Sequence, residues 1–454
     1  MIEKLSFTEK SGYALGDMAA NFVFQAMLAL QLDFYTHTFG LTAAQAGTLF
    51  LVVGLGVACL NPIMGMIADR TSSKWGKFRP WLLWSALPFG VIGVLTFTTP
   101  NISPAGKIIY AWVTYILLRI IYTVNNVPYA SLTAVMTSDP DERTSISSYR
   151  QFAANSAGFI VASLAIPMVK FFGHGDDARG YQYTMGLLSA LSVVFFIVAF
   201  FATKERIQPN PQQQTSLGQD LADLFKNRPW IVLFLATLFY FAAIVIRGNV
   251  MLPYFRFVAG NVDLFSWFNG FGLASLLVGV ACSTAVSVRV GKRQLFIGSM
   301  LLSGILSMAL FVIPPSSTAV IVMTEVLRQF FYGLSGPIIW AMMGDVADYG
   351  EWKTGRRATG TVTSAVVFAL WAGLALGGAI AGWLLSFYGF VSKAEMQSAQ
   401  AQSGILLTAS IYAGLAFFAV AACLFFYPIS REGNQKIANE LAERRKAFAP
   451  HEAS

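Results

Sequence analysis

Asp17, Asn21 and Gln25 stand four residues apart in the apolar run GDMAANFVFQ near the N-terminus. Steps of four put them on one face of a helix. A carboxylate and two amides in line can donate to and accept from a hydroxyl-rich solute such as a sugar. A carboxylate in apolar surroundings also needs a partner or a proton, so protonation of Asp17 can be coupled to solute binding. Hydrogen bonding between helices is the other role open to Asn21 and Gln25. Tyr122, Asn126 and Tyr129 form a second set on one helical face, with Arg119 a turn further out, and Arg150 opens the next apolar run. Arg247 and Asn249 interrupt a later one, and Arg247 is counted with these residues as a candidate sugar contact. Trp340 offers an aromatic face to a sugar ring, or serves as an interfacial anchor. Asp33, with His37 just beyond, and Glu325 stand in reserve to Asp17 as cation-coupling groups, although Glu325 and Arg328 are three apart and can pair with each other.

These polar residues are set in a chain of 454 residues that is 56% hydrophobic and only 12% charged, against about 25% charged in a soluble protein. Apolar stretches of roughly 20 residues recur, each long enough to cross a bilayer. They fall near 12–36, 43–68, 81–99, 106–135, 147–172, 182–203, 229–257, 264–288, 295–313, 317–346, 361–389 and 404–427, which predicts an all-α membrane protein of twelve spans. Alternate connectors are rich in Lys and Arg. Examples are Arg70, Lys74, Lys77 and Arg79 after the second span, Lys204 and Arg206 after the sixth, and Arg289, Lys292 and Arg293 after the eighth. The positive-inside rule makes these loops and both termini cytoplasmic. The net charge of +8 thus reports topology and not nucleic-acid binding. The N-terminus MIEKLSFTEK has no signal-peptide pattern, so the first apolar segment is expected to be a retained helix. Cys59, Cys282 and Cys423 lie in apolar spans and read as small hydrophobes. With three histidines in the chain, no metal site and no cofactor are expected.

The polar connector from Lys204 to Pro229 divides the spans six and six. It predicts an N-terminal bundle (1–203), a cytoplasmic middle loop (204–228), a C-terminal bundle (229–428) and a cytoplasmic tail (429–454). Its segment SLGQDLADLF reads as a short amphipathic helix on the membrane surface. Two six-helix bundles around a central cavity, with substrate near the midplane, are a transporter pattern.

GMIADRTSSK, Gly65 to Lys74, fits G-x-x-x-D-R-x-x-x-[RK] after the second span. This resembles the cytoplasmic-loop motif of the major facilitator superfamily. Gly65 permits close helix approach, and Asp69 can pair with a basic group or cap a neighbouring helix. NPIMGMIADRTSSKWGKFRPW and GDVADYGEWKTGRRATG, with GYALGD, VNNVPYASL and DERTSISSYR, resemble the glycoside–pentoside–hexuronide:cation symporters, the melibiose permease group, in order along nearly the whole chain. The resemblance implies sugar uptake driven by H⁺, Na⁺ or Li⁺. It implies sugar contacts at Asn126, where the melibiose permeases carry an acid, and at Arg150.

Two departures from that family bear on the ion. Sodium-coupled relatives carry two acids on the second span, where this chain has Val57 and Asn61. Many also carry a lysine where Trp371 stands. A hard cation wants several oxygen ligands, usually with carboxylates, so Na⁺ is not expected there and a proton is. Trp371 is left to line the sugar cavity. Asp69, Arg70, Asp345, Asp348 and Glu351, at inner helix ends, are expected to gate access.

The expectation is therefore a bacterial inner-membrane sugar symporter. Its partners are a small sugar or glycoside, a proton and the lipid bilayer, without nucleic acid, and it acts as a monomer. An uncoupled facilitator on the same scaffold is the alternative. A membrane-embedded glycan enzyme is disfavoured by the lack of HExxH, GxSxG or a large extramembrane loop.

Overall fold

A computed structural model describes residues 5–207, 224–261, 263–391 and 396–446. The described residues are helical, with no strand among them. A chain in hydrocarbon has to satisfy its backbone internally, and a helix does so within one segment.

The rods run in chain order. α1 (Phe7–Asp33) continues into a π-helical turn at Phe34–Phe39, and α2 (Ala43–Ala58) and α3 (Leu60–Arg70) make one span interrupted at Cys59. Next come α4 (Arg79–Thr96), α5 (Pro104–Met136), α6 (Pro140–Gly173) and α7 (Asp177–Ala202). α8 (Arg228–Pro253) ends in a π turn at Tyr254–Val258 and precedes α9 (Asp263–Val290), α10 (Lys292–Ala309), α11 (Thr318–Thr354) and α12 (Thr359–Phe387). α13 (Ala399–Leu407), a π turn at Thr408–Tyr412 and α14 (Ala413–Phe425) complete the last rod, and α15 (Arg431–Lys446) forms the tail.

Seven of these are long and apolar enough to cross a membrane by length and composition, and the bent first rod makes eight. The others are short, broken or polar: α4 and α10 have 18 residues each, and α11 buries Glu325, Arg328, Asp345 and Asp348. Together they give the twelve-span all-α fold that hydropathy and charge predict. Leu28, Ile109, Phe201, Val312, Trp383 and Phe426 are exposed on the outside of the rods, as side chains bathed by lipid need to be. The amphipathic helix expected in the middle connector lies outside the described residues, apart from a helical turn at Leu224–Lys226.

The chain divides into two compact units. One holds Met1–Asp220 with Arg356–Ser364, the other Leu221–Gly355 with Ala365–Ser454. In the first, α1 packs on α6 and α7, and α4 on α5 and α7. Tyr13 on α1 and Tyr129 on α5 stack at 4.5 Å, and each hydroxyl donates to the other's backbone carbonyl, at 3.0 and 2.6 Å. In the second, α9 packs on α11, and α14 on α8 and α10. Tyr240 on α8 and Tyr332 on α11 stack at 4.8 Å. Each unit therefore ties its first and fourth rods with a stacked tyrosine pair. The tail helix sits on α11, where Trp352 Nε1 donates to Glu440 Oε2 at 2.6 Å.

Candidate functional site

The first unit brings the predicted polar residues of α1, α5 and α6 together. Arg150 on α6 donates from Nε to Asp17 Oδ2 at 2.8 Å, and both side chains are almost wholly buried. Asn21 donates to the Asp17 carbonyl at 2.9 Å and to its Oδ1 at 3.3 Å. The carboxylate is thus held on both oxygens by residues of the expected site. The Arg150 guanidinium also lies over the Tyr129 ring at 5.0 Å. Tyr129 itself is fully buried and its hydroxyl is committed to Tyr13. It therefore supports Arg150 from behind.

Three other predicted residues are placed differently. Asn126 is 8% exposed, and its amide makes no hydrogen bond among the described residues. Gln25 is half-buried and leans on α6, where a Cβ added at Gly158 would lie 3.3 Å from its Nε2. Tyr122 packs at a tilt against Phe24 and Phe89, and its hydroxyl is within electrostatic range of Asp17, Arg119 and Arg150. Neither Gln25 nor Tyr122 has a side-chain hydrogen bond among the described residues. A buried ion pair, with two amides and a phenol on the helices that carry or flank it, offers donors and acceptors in several directions. That is the set a sugar's hydroxyls require.

The second unit groups its charges otherwise. Arg247 on α8 donates to Glu325 Oε2 at 2.6 Å and to the Ala409 carbonyl at 2.9 Å, inside the last π turn. Arg328 donates from Nε to the same Glu325 oxygen at 2.9 Å. The triad is buried and pins α8, α11 and the rod containing Ala409. It joins two residues that the sequence reading placed in different roles, Arg247 with sugar and Glu325 with the cation. Trp340 and Trp371 are each half-buried on α11 and α12. Asp33 is exposed, with its carboxylate 2.6 Å from His37 Nδ1 and accepting from the Tyr181 hydroxyl.

At the end of α3, Asp69 behaves as a helix cap. Its oxygens accept from the backbone N–H of Gly360 at 2.8 Å and of Thr361 at 2.9 Å, both counted in the first unit. Gly65 is required one turn earlier, because a Cβ there would lie 2.4 Å from the Gly360 carbonyl oxygen. Arg70 is exposed and donates to the Met66 carbonyl at 3.3 Å. Asp345 pairs with Lys292 at 2.6 Å, while Asp348 is buried and Glu351 half-buried on the same helix. Val57 is packed in the apolar core of the first unit, and Asn61 is buried.

Signals missed in the sequence include the tyrosine pair. Tyr13 lies in GYALGD and Tyr129 in VNNVPYASL, and an aromatic in each of two helices does not announce that they stack.

Membrane-spanning helical rods with an ion pair and hydrogen-bonding groups buried among them define a membrane transporter of the major facilitator fold. The chain belongs to the family described as MFS/sugar transport protein, which matches residues 12–431. It is 35% identical over 445 residues to the inner membrane symporter YicJ of Escherichia coli K12, covering 98% of this chain and 96% of that one. It is 34% identical to the isoprimeverose transporter of Lactiplantibacillus pentosus, covering 94% and 89%. Among solved structures, the E. coli fucose:proton symporter FucP resembles it with a TM-score of 0.67 at 14% identity, over 93% of this chain and 98% of that one. That likeness is one of fold.

Proposed function

We propose that this protein imports a glycoside or oligosaccharide across the bacterial inner membrane by proton symport and alternating access. The observation that carries the reading is the buried Asp17–Arg150 pair, together with Gln25 on α1 and Tyr122 and Asn126 on α5, which make no side-chain hydrogen bond among the described residues. The sugar takes its hydrogen bonds from Asn126, Gln25, Tyr122 and the Arg150 guanidinium. Drawing Arg150 toward the sugar loosens its hold on Asp17, and a carboxylate losing a cationic partner in a buried site gains affinity for a proton. Sugar and proton then bind together, which is the thermodynamic content of symport. Trp340 and Trp371 contribute aromatic surface to the sugar.

The two bundles, 1–203 and 229–428, move in the manner of rocking halves, with the middle loop, the tail and both termini cytoplasmic. Asp69, Arg70, Asp345, Asp348 and Glu351 hold the inner side closed. Arg247 and Glu325, bound to each other, serve the second bundle's integrity. YicJ being named an inner membrane symporter and the Lactiplantibacillus relative an isoprimeverose transporter supports both location and substrate class. Val57 in the apolar core supports a proton over a sodium ion.

An uncoupled facilitator is the second reading, favoured by one fact: Asp17 already has a guanidinium at 2.8 Å. Right-side-out vesicles decide between them. Sugar accumulation that follows an imposed inward proton gradient supports symport, and equilibration without accumulation supports the facilitator.

A further inference from the structure

The connector between α3 and α4 closes over a cavity of about 560 Å³ whose lining includes none of the sugar-site residues. Five basic side chains line it: Lys74, Lys77, Arg79, Lys204 and Arg357. Two acids face them, Asp69 and Glu205, and both are saturated by backbone donors. Glu205 accepts from the N–H groups of Lys77, Phe78 and Arg79 at 2.9, 2.8 and 2.8 Å, at the start of α4, where a helix N-terminus favours an anion. Gly76, at φ +110°, is held to glycine twice over: by its backbone, and because a Cβ would lie 2.4 Å from the Glu205 carboxyl carbon. Asp69 is committed to Gly360 and Thr361.

Five basic side chains against two carboxylates leave an excess of positive charge in the lining. Among the described residues Lys77 Nζ donates to a carbonyl, that of Asp69, at 2.8 Å, and burial pushes its pKa below the ordinary lysine value while Asp69 and Glu205 oppose that fall. Lys74 is exposed and lies over the Trp75 ring at 4.8 Å. Lys204 is exposed and has no ion pair among the described residues. Ser72 adds a hydroxyl group to the wall, while the hydroxyls of Thr71 and Ser73 donate to the Ile67 and Gly76 carbonyls. Concentrated positive charge, a hydroxyl donor and a pocket wide enough for a tetrahedral group are what a phosphate recognises.

We infer that this cavity binds a phosphate-bearing ligand, at a site separate from the one for sugar. On the cytoplasmic side of a membrane the chemistry has two sources, the headgroup of an anionic phospholipid and a soluble phosphate. Basic pockets at this level among membrane helices are suited to the first.

Native mass spectrometry of the full chain, released from phosphatidylcholine nanodiscs with and without phosphatidylglycerol, reads the lipid arm. Calorimetric titration of the detergent-solubilised protein with inorganic phosphate reads the soluble arm. The probe variant is Lys74→Ala with Lys204→Ala, two exposed residues whose loss leaves the Asp69 and Glu205 bonds in place; an unchanged Tm confirms that it folds. Retention of phosphatidylglycerol over phosphatidylcholine, reduced roughly tenfold to thirtyfold in the variant, supports the site with lipid as its source. Phosphate binding that the variant loses, without a lipid preference, supports the site with a soluble source. The inference is overturned if the wild type shows neither, or if the variant binds as tightly as the wild type. None of these readouts depends on sugar transport.

Discussion

Arg150 and Asp17 are 133 positions apart in sequence, yet the Nε of one lies 2.8 Å from the Oδ2 of the other in the buried interior of the first unit. Tyr129 backs the guanidinium, and Asn21 holds the second carboxylate oxygen. A charge in this setting is tolerated only because it is paired. The pair is therefore a fixed point of the bundle.

The first prediction concerns that carboxylate. Asp17→Asn keeps the shape and the bond from Asn21 to the backbone, but removes the titratable group. Gradient-driven accumulation should be abolished while sugar exchange across the membrane persists at a reduced rate. Counterflow and accumulation measured on the same vesicles separate the two. If Asp17→Asn still concentrates sugar against its gradient, another residue carries the proton.

The second prediction concerns the hydrogen-bonding groups around the pair. Asn126→Ala and Tyr122→Phe each remove one proposed partner from the sugar and, with no side-chain hydrogen bond among the described residues to lose, should leave stability nearly unchanged. Each should weaken sugar binding by about 0.5–1.5 kcal/mol, or roughly twofold to twelvefold in Kd. Calorimetric or fluorescence titration of purified protein gives the number. Wild-type affinity in both would take α5 out of the sugar site.

The Arg247–Glu325–Arg328 triad should respond in the opposite way. Glu325→Gln leaves two guanidiniums buried without their shared acid, a change that costs about 3–5 kcal/mol. The Tm should fall clearly, while the pH dependence of any remaining transport keeps its wild-type midpoint. A shifted midpoint at unchanged stability would return Glu325 to the role of cation carrier.

These contrasts show which parts of the site could be read from the chain. The stripe Asp17, Asn21, Gln25 and the face Tyr122, Asn126, Tyr129 follow from helical spacing alone, because residues four apart must share a side. The i,i+3 pairing of Glu325 with Arg328 is legible for the same reason. That Arg150 meets Asp17, and that Arg247 completes the triad, is not, since such meetings depend on how helices far apart in sequence pack. The interruption at Cys59 and the three π turns also leave no mark on hydropathy, which averages over a window longer than the defect. The sequence leaves Asp69 either to pair with a basic group or to cap a helix, and it cannot choose, because the backbone it caps, at Gly360 and Thr361, lies 291 and 292 positions away.

The last prediction is the driving ion. Val57 is packed in the apolar core and Asn61 is buried, so the second span offers a cation an amide and backbone oxygens at most. A sodium ion prefers more oxygen ligands than this, and usually carboxylates among them. A proton needs one group that titrates, provided each side of the membrane reaches it in turn. Asp17 meets that need only when Arg150 is drawn away, which ties proton uptake to sugar. Uptake should therefore rise as the outside is acidified at fixed internal pH, because a higher outside proton activity fills Asp17 in the sugar-bound state. Added Na⁺ at constant pH and ionic strength should change nothing. Stimulation by Na⁺ under those conditions would place a cation site elsewhere in the bundle, and indifference to both ions would leave a facilitator in which Asp17 and Arg150 never part.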